Sequence, residues 1–159
     1  MIRRATPEDV PALVELVYDL AEYEKAREQC ALTAEDLHAA LFGPTPAVFA
    51  HVATVDARVA GCAIWFLNYS TWTGKHGIYL EDLYVRPEAR GRGLGKALLA
   101  ELAREAVAHG YTRVDWSVLD WNTPSIEFYR GLGAVAQDEW TGFRLAGDAL
   151  ARLADAGNS

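Results

Sequence analysis

The amino-acid sequence predicts an α+β fold, with a central mixed, mostly antiparallel sheet flanked by helices. Two observations carry that expectation. Three apolar runs rich in β-branched and aromatic residues, at 49–55, 59–69 and 78–85, follow one another with short joins, the pattern of antiparallel hairpins. The third run then enters a glycine-rich loop, a long amphipathic stretch and a further strand pattern, a passage that requires a parallel crossover.

The elements follow in order. A short strand at 2–5 precedes Thr6-Pro7-Glu8-Asp9, where Thr caps a helix, Pro fits its first turn and the acids suit its dipole. Val10, Leu13, Val14, Val17, Leu20 and Ala21 then form one apolar stripe. Thr33-Ala34-Glu35-Asp36 repeats the capping signal before a shorter helix to Leu41 or Phe42, ended by Gly43-Pro44-Thr45-Pro46. The turn between the first two long strands falls near Asp56-Ala57-Arg58. Leu94, Leu98, Leu102 and Ala106 repeat at helical spacing and define the long helix after the glycine loop. Residues 113–119 alternate as a strand, and Thr123-Pro124 opens a helix ending near Gly131–Gly133. Short strands at 134–138 and 143–145 precede a polar tail able to form a last helix. The resulting order is β-α-α-β-β-β-α-β-α-β-β.

A chain of 159 residues with 51% hydrophobic content is long enough for one substantial core, and neither linker nor internal repeat interrupts it. We therefore expect a single domain over 1–159, with a core at about 2–146 and a short tail at 147–159. The net charge of −7 argues against nucleic acid as the main partner, because that binding rests on neutralising phosphates with Lys and Arg. No apolar run approaches the roughly 20 residues that span a bilayer. Two cysteines, Cys30 and Cys62, and no apolar leader lead us to expect a cytoplasmic protein. His38, His51, His76 and His109 are scattered without metal-ligand spacing, so no metal is expected.

The most informative segment is Val85-Arg86-Pro87-Glu88-Ala89-Arg90-Gly91-Arg92-Gly93-Leu94-Gly95-Lys96. Glycines at 91, 93 and 95 allow close backbone approach to a ligand beside the positive end of a helix dipole, a cradle for phosphate. A P-loop would need Gly where Arg90 stands and Ser or Thr where Ala97 stands; a dinucleotide loop would need Gly in place of Lys96. The string fits Arg-x-x-Gly-x-Gly, as Arg90, Gly93 and Gly95.

Two further places can carry chemistry. Glu81 and Asp82 lie inside the apolar run 78–85, where a carboxylate is costly unless it is paired or used. Successive strand residues face opposite sides, so these two cannot share a face unless a bulge intervenes. Glu81 can receive an ammonium group and relay its proton, directly or through water; an alkyl amine of pKa about 10.4 is protonated at neutral pH and is no nucleophile until it loses a proton. Tyr129 lies on the helix after Thr123-Pro124, and a phenol of pKa about 10 suits protonation of a departing thiolate. Asn122 and Ser125 are also explained as ordinary helix-start residues.

The Arg90-x-x-Gly93-x-Gly95 string resembles the pyrophosphate loop of the GCN5-related N-acetyltransferases. A wider set of stretches is similar to the spermidine/spermine (diamine) N-acetyltransferase group, which includes enzymes acting on thialysine. These are Leu20-Ala21-Glu22-Tyr23-Glu24, Leu32-Thr33, Trp72-Thr73-Gly74-Lys75, Tyr79-Leu80-Glu81-Asp82, the glycine loop, Asp120-Trp121-Asn122 and Ser125-Ile126-Glu127-Phe128-Tyr129. They span about 2–145 and recur in order. The resemblance implies the acetyltransferase fold and acetyl-coenzyme A as acetyl donor. By it, Leu83, Tyr84 and Val85 meet the pantetheine arm, while Arg90, Gly91, Arg92, Gly93, Leu94, Gly95 and Lys96 hold the pyrophosphate. Asn122, Pro124, Ser125 and Tyr129 complete the cofactor groove, with Tyr129 as general acid. Tyr23, Glu24, Trp72, Glu81, Asp82, Asp115, Trp116 and Ser117 line the amine site, and the molecule is a homodimer.

One departure bears on the acceptor. Polyamine enzymes of this group carry an acid two residues before the tryptophan matching Trp72, and this chain has Ser70. A diamine or a thialysine-like amino acid is then as well suited as a long polyamine. Two other readings stay open: an acetyltransferase for a protein amine or aminoglycoside, and a non-catalytic acyl-coenzyme A module.

Overall fold

A computed structural model describes residues 1–157. They form two compact units, Met1–Leu119 and a second beginning at Asp120. The first holds a five-stranded sheet in the order β1 (Ile2–Arg4), β2 (Phe49–Val55), β3 (Arg58–Ser70), β4 (Lys75–Val85) and β5 (Val114–Asp115). The first four strands pair antiparallel, and β5 joins β4 in parallel. The α+β architecture expected from the sequence is therefore present.

The β2–β3 hairpin turns on Asp56 and Ala57, both left-handed at φ 51° and 64°, the conformation of a two-residue type I′ turn. Two helices, α1 (Val10–Tyr23) and α2 (Ala34–Phe42), cover one face of the sheet. Asp9 ties β1 to the start of α1: its carboxylate takes the backbone N–H of Thr6 at 2.8 Å and two N–H groups of Arg3 at 2.7 and 3.0 Å. The core under these helices joins Leu13, Leu16, Leu37 and Leu41 to Val52, Cys62 and Ile64. Each such buried aliphatic side chain contributes about 1.5–3 kcal/mol relative to exposure. Leu16, which the expected stripe omits, is among the most deeply buried residues, because α1 is flanked by both the sheet and α2.

The long helix α3 (Leu94–His109) covers the opposite face with Leu98, Leu99, Leu102 and Ala106. The second unit holds α4 (Thr123–Gly131) and α5 (Gly147–Ala156). Two expectations need correction there and in β5. Residues 134–138 and 143–145 are not strands: their local backbone bonds include Ala134 N–H to Tyr129 O and Trp140 N–H to Gln137 O, and Val135 and Phe143 stand exposed. A short apolar run does not make a strand without a ladder partner. The strand expected at 113–119 shrinks to Val114–Asp115, for a reason that lies in β4 and is described below.

Between α3 and the sheet lies a buried imidazole. His51 is 2% exposed, and its Nδ1 accepts the indole N–H of Trp65 at 3.1 Å, which leaves the proton of the neutral ring on Nε2, facing Glu105 at 3.8 Å. Arg4 takes the same Glu105 oxygen at 2.8 Å. Burial foremost, then the Arg4 charge, lowers the His51 pKa against the weaker pull of Glu105 and Glu101. A second proton on Nδ1 would oppose the Trp65 N–H, donor against donor. The neutral ring is the folded form, so its contribution is complete above the unfolded histidine value of about 6.5 and is lost as pH falls below it, by at most about 1.4 kcal/mol per pH unit. Urea midpoints measured between about pH 7 and pH 5 should therefore fall more steeply in the wild type than in His51→Gln, which accepts from Trp65 without titrating; equal slopes would contradict the assignment.

Candidate active site

The strand β4 organises the site. Opposite it on β3, Ile64 faces Asp82 and Trp65 faces Leu80, so Glu81 is the extra residue of a bulge. Ile64 belongs to the core under α1 and α2, which places Asp82 on that face. Glu81 shares the neighbourhood, because its charge acts on both Asp82 and Glu24. Two neighbouring carboxylates of β4, at and beside the bulge, and a third at the end of α1 thus act on one another. There Lys25 adopts a left-handed φ of 63°, with Ala26 N–H on Ala21 O and Lys25 N–H on Glu22 O. This Schellman turn stops the helix where Tyr23 and Glu24 reach the site.

The three carboxylates differ electrostatically. Burial, then Glu81 and Glu24, pushes the Asp82 carboxyl up to about 7. Burial and the Glu81 charge also raise the Glu24 pKa. Glu81 is exposed. Crowding three acids costs stability in the empty protein, and a cation placed among them offsets that cost.

The bulge has a second consequence. It re-aims β4, and β5 follows only from Val114 opposite Ile78 to Asp115 opposite Tyr79. Beyond it, residues 83–85 pair with β3 on one side, and among the described residues no strand pairs with their other edge. Apart from the Val85 carbonyl, which accepts the Arg90 Nε–H, that edge offers backbone groups to an extended ligand arm, the way a peptide adds to a sheet.

At the end of β4 the chain enters the glycine loop. Gly91 and Gly93 are left-handed, at φ 81° and 76°. A Cβ built at Gly91, Gly93 or Gly95 meets no protein atom within 4 Å, so the space beside the loop is open. Gly93 caps α3, whose first turn contains no acid, whereas α2 begins with Glu35 and Asp36. Lys96 sits in that first turn. Free amides, a positive dipole end and a lysine instead of a carboxylate together fit a phosphate-bearing ligand.

The other expected site residues are each placed within their own unit. Trp72, 91% exposed, is at the β3–β4 turn, roughly 20 Å of strand from Glu81. Asp115 is held by Asn68 at 3.2 Å and by Arg113 at 3.1 Å, and Ser117 Oγ lies 3.2 Å from the Tyr79 hydroxyl. Trp116 follows Asp115 at the end of β5. In the second unit, Asn122 caps α4 by accepting the Ser125 N–H at 3.4 Å, Pro124 stands in the first turn, and Tyr129 is borne on the same helix. Among the described residues no group of three or more His, Cys, Asp or Glu side chains is arranged to hold a metal ion, and no helix is long and apolar enough to cross a membrane.

A five-stranded, mostly antiparallel sheet, a bulged fourth strand and a glycine cradle opening the following helix define an acyltransferase fold. The chain belongs to the acetyltransferase (GNAT) family, whose model matches residues 13–134. It is 38% identical to a thialysine N-epsilon-acetyltransferase of Bos taurus over 97% of this chain and 96% of that protein. It is 32% identical to an L-ornithine N5-acetyltransferase of Arabidopsis thaliana, over 94% and 85% respectively. Among solved structures, an integron cassette protein of V. cholerae superposes with a TM-score of 0.80 at 28% identity, covering 97% of this chain and 96% of that one.

Two expectations follow from this geometry. Gly93→Val places a branched Cβ in the cradle and strains a left-handed residue, so it should abolish coenzyme A binding while the circular dichroism spectrum stays native; unchanged affinity by calorimetry would remove the cradle assignment. Asp82 gains its charge as pH rises through about 7, while an alkyl ammonium keeps its own. The KM for a cationic amine should therefore fall between about pH 6 and pH 8, and Asp82→Asn should flatten that profile.

Proposed function

We propose that this protein transfers acetyl from acetyl-coenzyme A to a primary amine of a small cationic molecule, a diamine, polyamine or thialysine-like amino acid. The observation that carries this reading is that one strand, β4, bears the carboxylate cluster at its bulge and leads directly into the phosphate cradle. A cation site and an anion site on one rigid element suit a reaction that joins a cationic acceptor to a phosphate-bearing donor.

In this reading the amides of Gly91 to Lys96 hold the pyrophosphate, with Arg90 and Arg92 beside them, and the free edge at Leu83 to Val85 aligns the pantetheine arm. Asn122, Pro124 and Ser125 complete the donor groove. Glu24, Glu81 and Asp82 attract the ammonium, and Tyr23, Trp72, Asp115, Trp116 and Ser117 belong to the acceptor side. Bound donor supplies the thioester. Glu81 takes the ammonium proton, directly or through water, so that the free amine attacks, and the Tyr129 hydroxyl returns a proton to the departing sulfur. Transfer is direct within a ternary complex. Neither thiol sits in a motif for a covalent route, and Cys62 is buried with its pKa pushed far up by desolvation. We further propose one catalytic domain over 1–159, assembled as a cytoplasmic homodimer.

Three carboxylates in one place suit a compact ammonium better than a string of charges, and Ser70 adds none. A thialysine-like or ornithine-like amine is the first acceptor to assay, as the named activities of the similar proteins also suggest. Coenzyme A binding without acetylation of any amine would overturn this reading in favour of a binding module.

Two substitutions separate the proposed roles. Tyr129→Phe should lower kcat by about 10²- to 10⁴-fold with little change in coenzyme A affinity, since it removes an interaction made late in the reaction. Glu81→Gln should raise the KM for amine, and higher pH should recover part of the rate by supplying free amine. A near-wild-type kcat for Tyr129→Phe would move the acid role to another group or to water.

A further inference from the structure

We propose that Arg90 is a positioning residue that couples the donor loop to the acceptor wall, through cation–π contacts that the donor's own phosphates do not require. This rests on the reading of the two sites given above. The guanidinium carbon of Arg90 lies 5.7 Å from the ring centroid of Tyr23, at the end of α1, and 5.3 Å from that of Tyr84, on β4. Its Nε–H donates to Val85 O at 2.9 Å, which turns the side chain back toward the strand. Among the described residues the guanidinium has no carboxylate partner, because the nearby acids of α1 are engaged by a different arginine: Arg86 lies 2.6 Å from Glu15 and 3.8 Å from Asp19. One side chain thus joins the residue that begins the glycine loop to an aromatic ring one position from Glu24.

The Tyr23 and Tyr84 rings, a hydrogen bond to the Tyr84 hydroxyl and one carbonyl hold this guanidinium in place, so a ligand that orders the loop also orders Tyr23. Coupling of this kind is reciprocal: if donor binding favours the acceptor wall, altering Tyr23 must change donor affinity although Tyr23 touches no phosphate. An exposed cation–π contact is worth roughly 0.5–1 kcal/mol, which sets the scale at about two- to five-fold in affinity.

The experiment is a double-mutant cycle on coenzyme A binding, measured by calorimetry with Arg90→Met, Tyr23→Leu and the double variant. Each single change should weaken binding about two- to five-fold, and the double should be no weaker than the weaker single. Tyr23→Phe, which keeps the ring, should retain the coupling. In turnover with thialysine, Arg90→Met should raise the amine KM more than it lowers kcat, and Arg90→Lys should recover part of the loss. Additive effects, an unchanged affinity in Tyr23→Leu, or a large loss in Arg90→Met alone would overturn the inference, the last by making Arg90 a direct phosphate ligand. These outcomes are read on a wild type that binds coenzyme A whether or not it acetylates thialysine. A wild type that does not bind coenzyme A overturns both this inference and the function it rests on.

Discussion

One extra residue in β4 is the constraint on which the rest of the site depends. The bulge at Glu81 coincides with three features: it shifts Asp82 into register with Ile64 on the core face, the pairing with β5 stops before it, and residues 83–85 beyond it have no second strand partner among the described residues. A regular strand would send the carboxylates to opposite faces and let β5 continue along that edge. The carboxylate group and the unpaired strand edge therefore lie at the same local irregularity, and bulges are designed features rather than defects.

The electrostatics place a burden on the empty protein. Asp82 is raised to about 7 mainly by desolvation, with Glu81 and Glu24 adding like-charge repulsion. The fold tolerates this because its stability is drawn from elsewhere: from the aliphatic core between the sheet and α1 with α2, and from the seam where α3 covers the opposite face. The ionic clasps at the periphery serve a different purpose. Arg3 with Asp9 and Arg86 with Glu15 fix α1 against β1 and against the start of the glycine loop. That fixes the end of α1, and with it Tyr23 and Glu24, relative to β4. A precise site thus sits on packed elements, while its charged groups are left in a frustrated arrangement that a ligand can relieve.

Much of this was legible in the sequence where the signal was local. The span of β2 at 49–55, the caps at Thr33 and Asn122 and the glycine punctuation at 91 and 93 are properties of a few consecutive residues, and periodicity or backbone freedom reveals them directly. The membership of Leu16 in the core was not legible from one stripe, because a helix flanked by both a sheet and another helix buries a wider arc than a single face. Residues 134–138 and 143–145 have short apolar runs but no ladder, since pairing belongs to two segments and composition to only one.

The sequence by itself determined the α+β class, the order of the principal elements through α4 and the glycine loop between a strand and a helix, since each follows from short-range patterns. Only the tertiary structure decided that Glu24, Glu81 and Asp82 act on one another, that β5 stops short, and that Arg90 lies against Tyr23 and Tyr84 rather than beside a carboxylate. A bulge is a relation between two strands, and a pKa raised by burial is a relation between a carboxyl and everything packed around it. Neither is written in the residues of one segment, because both depend on what the folded chain brings against it.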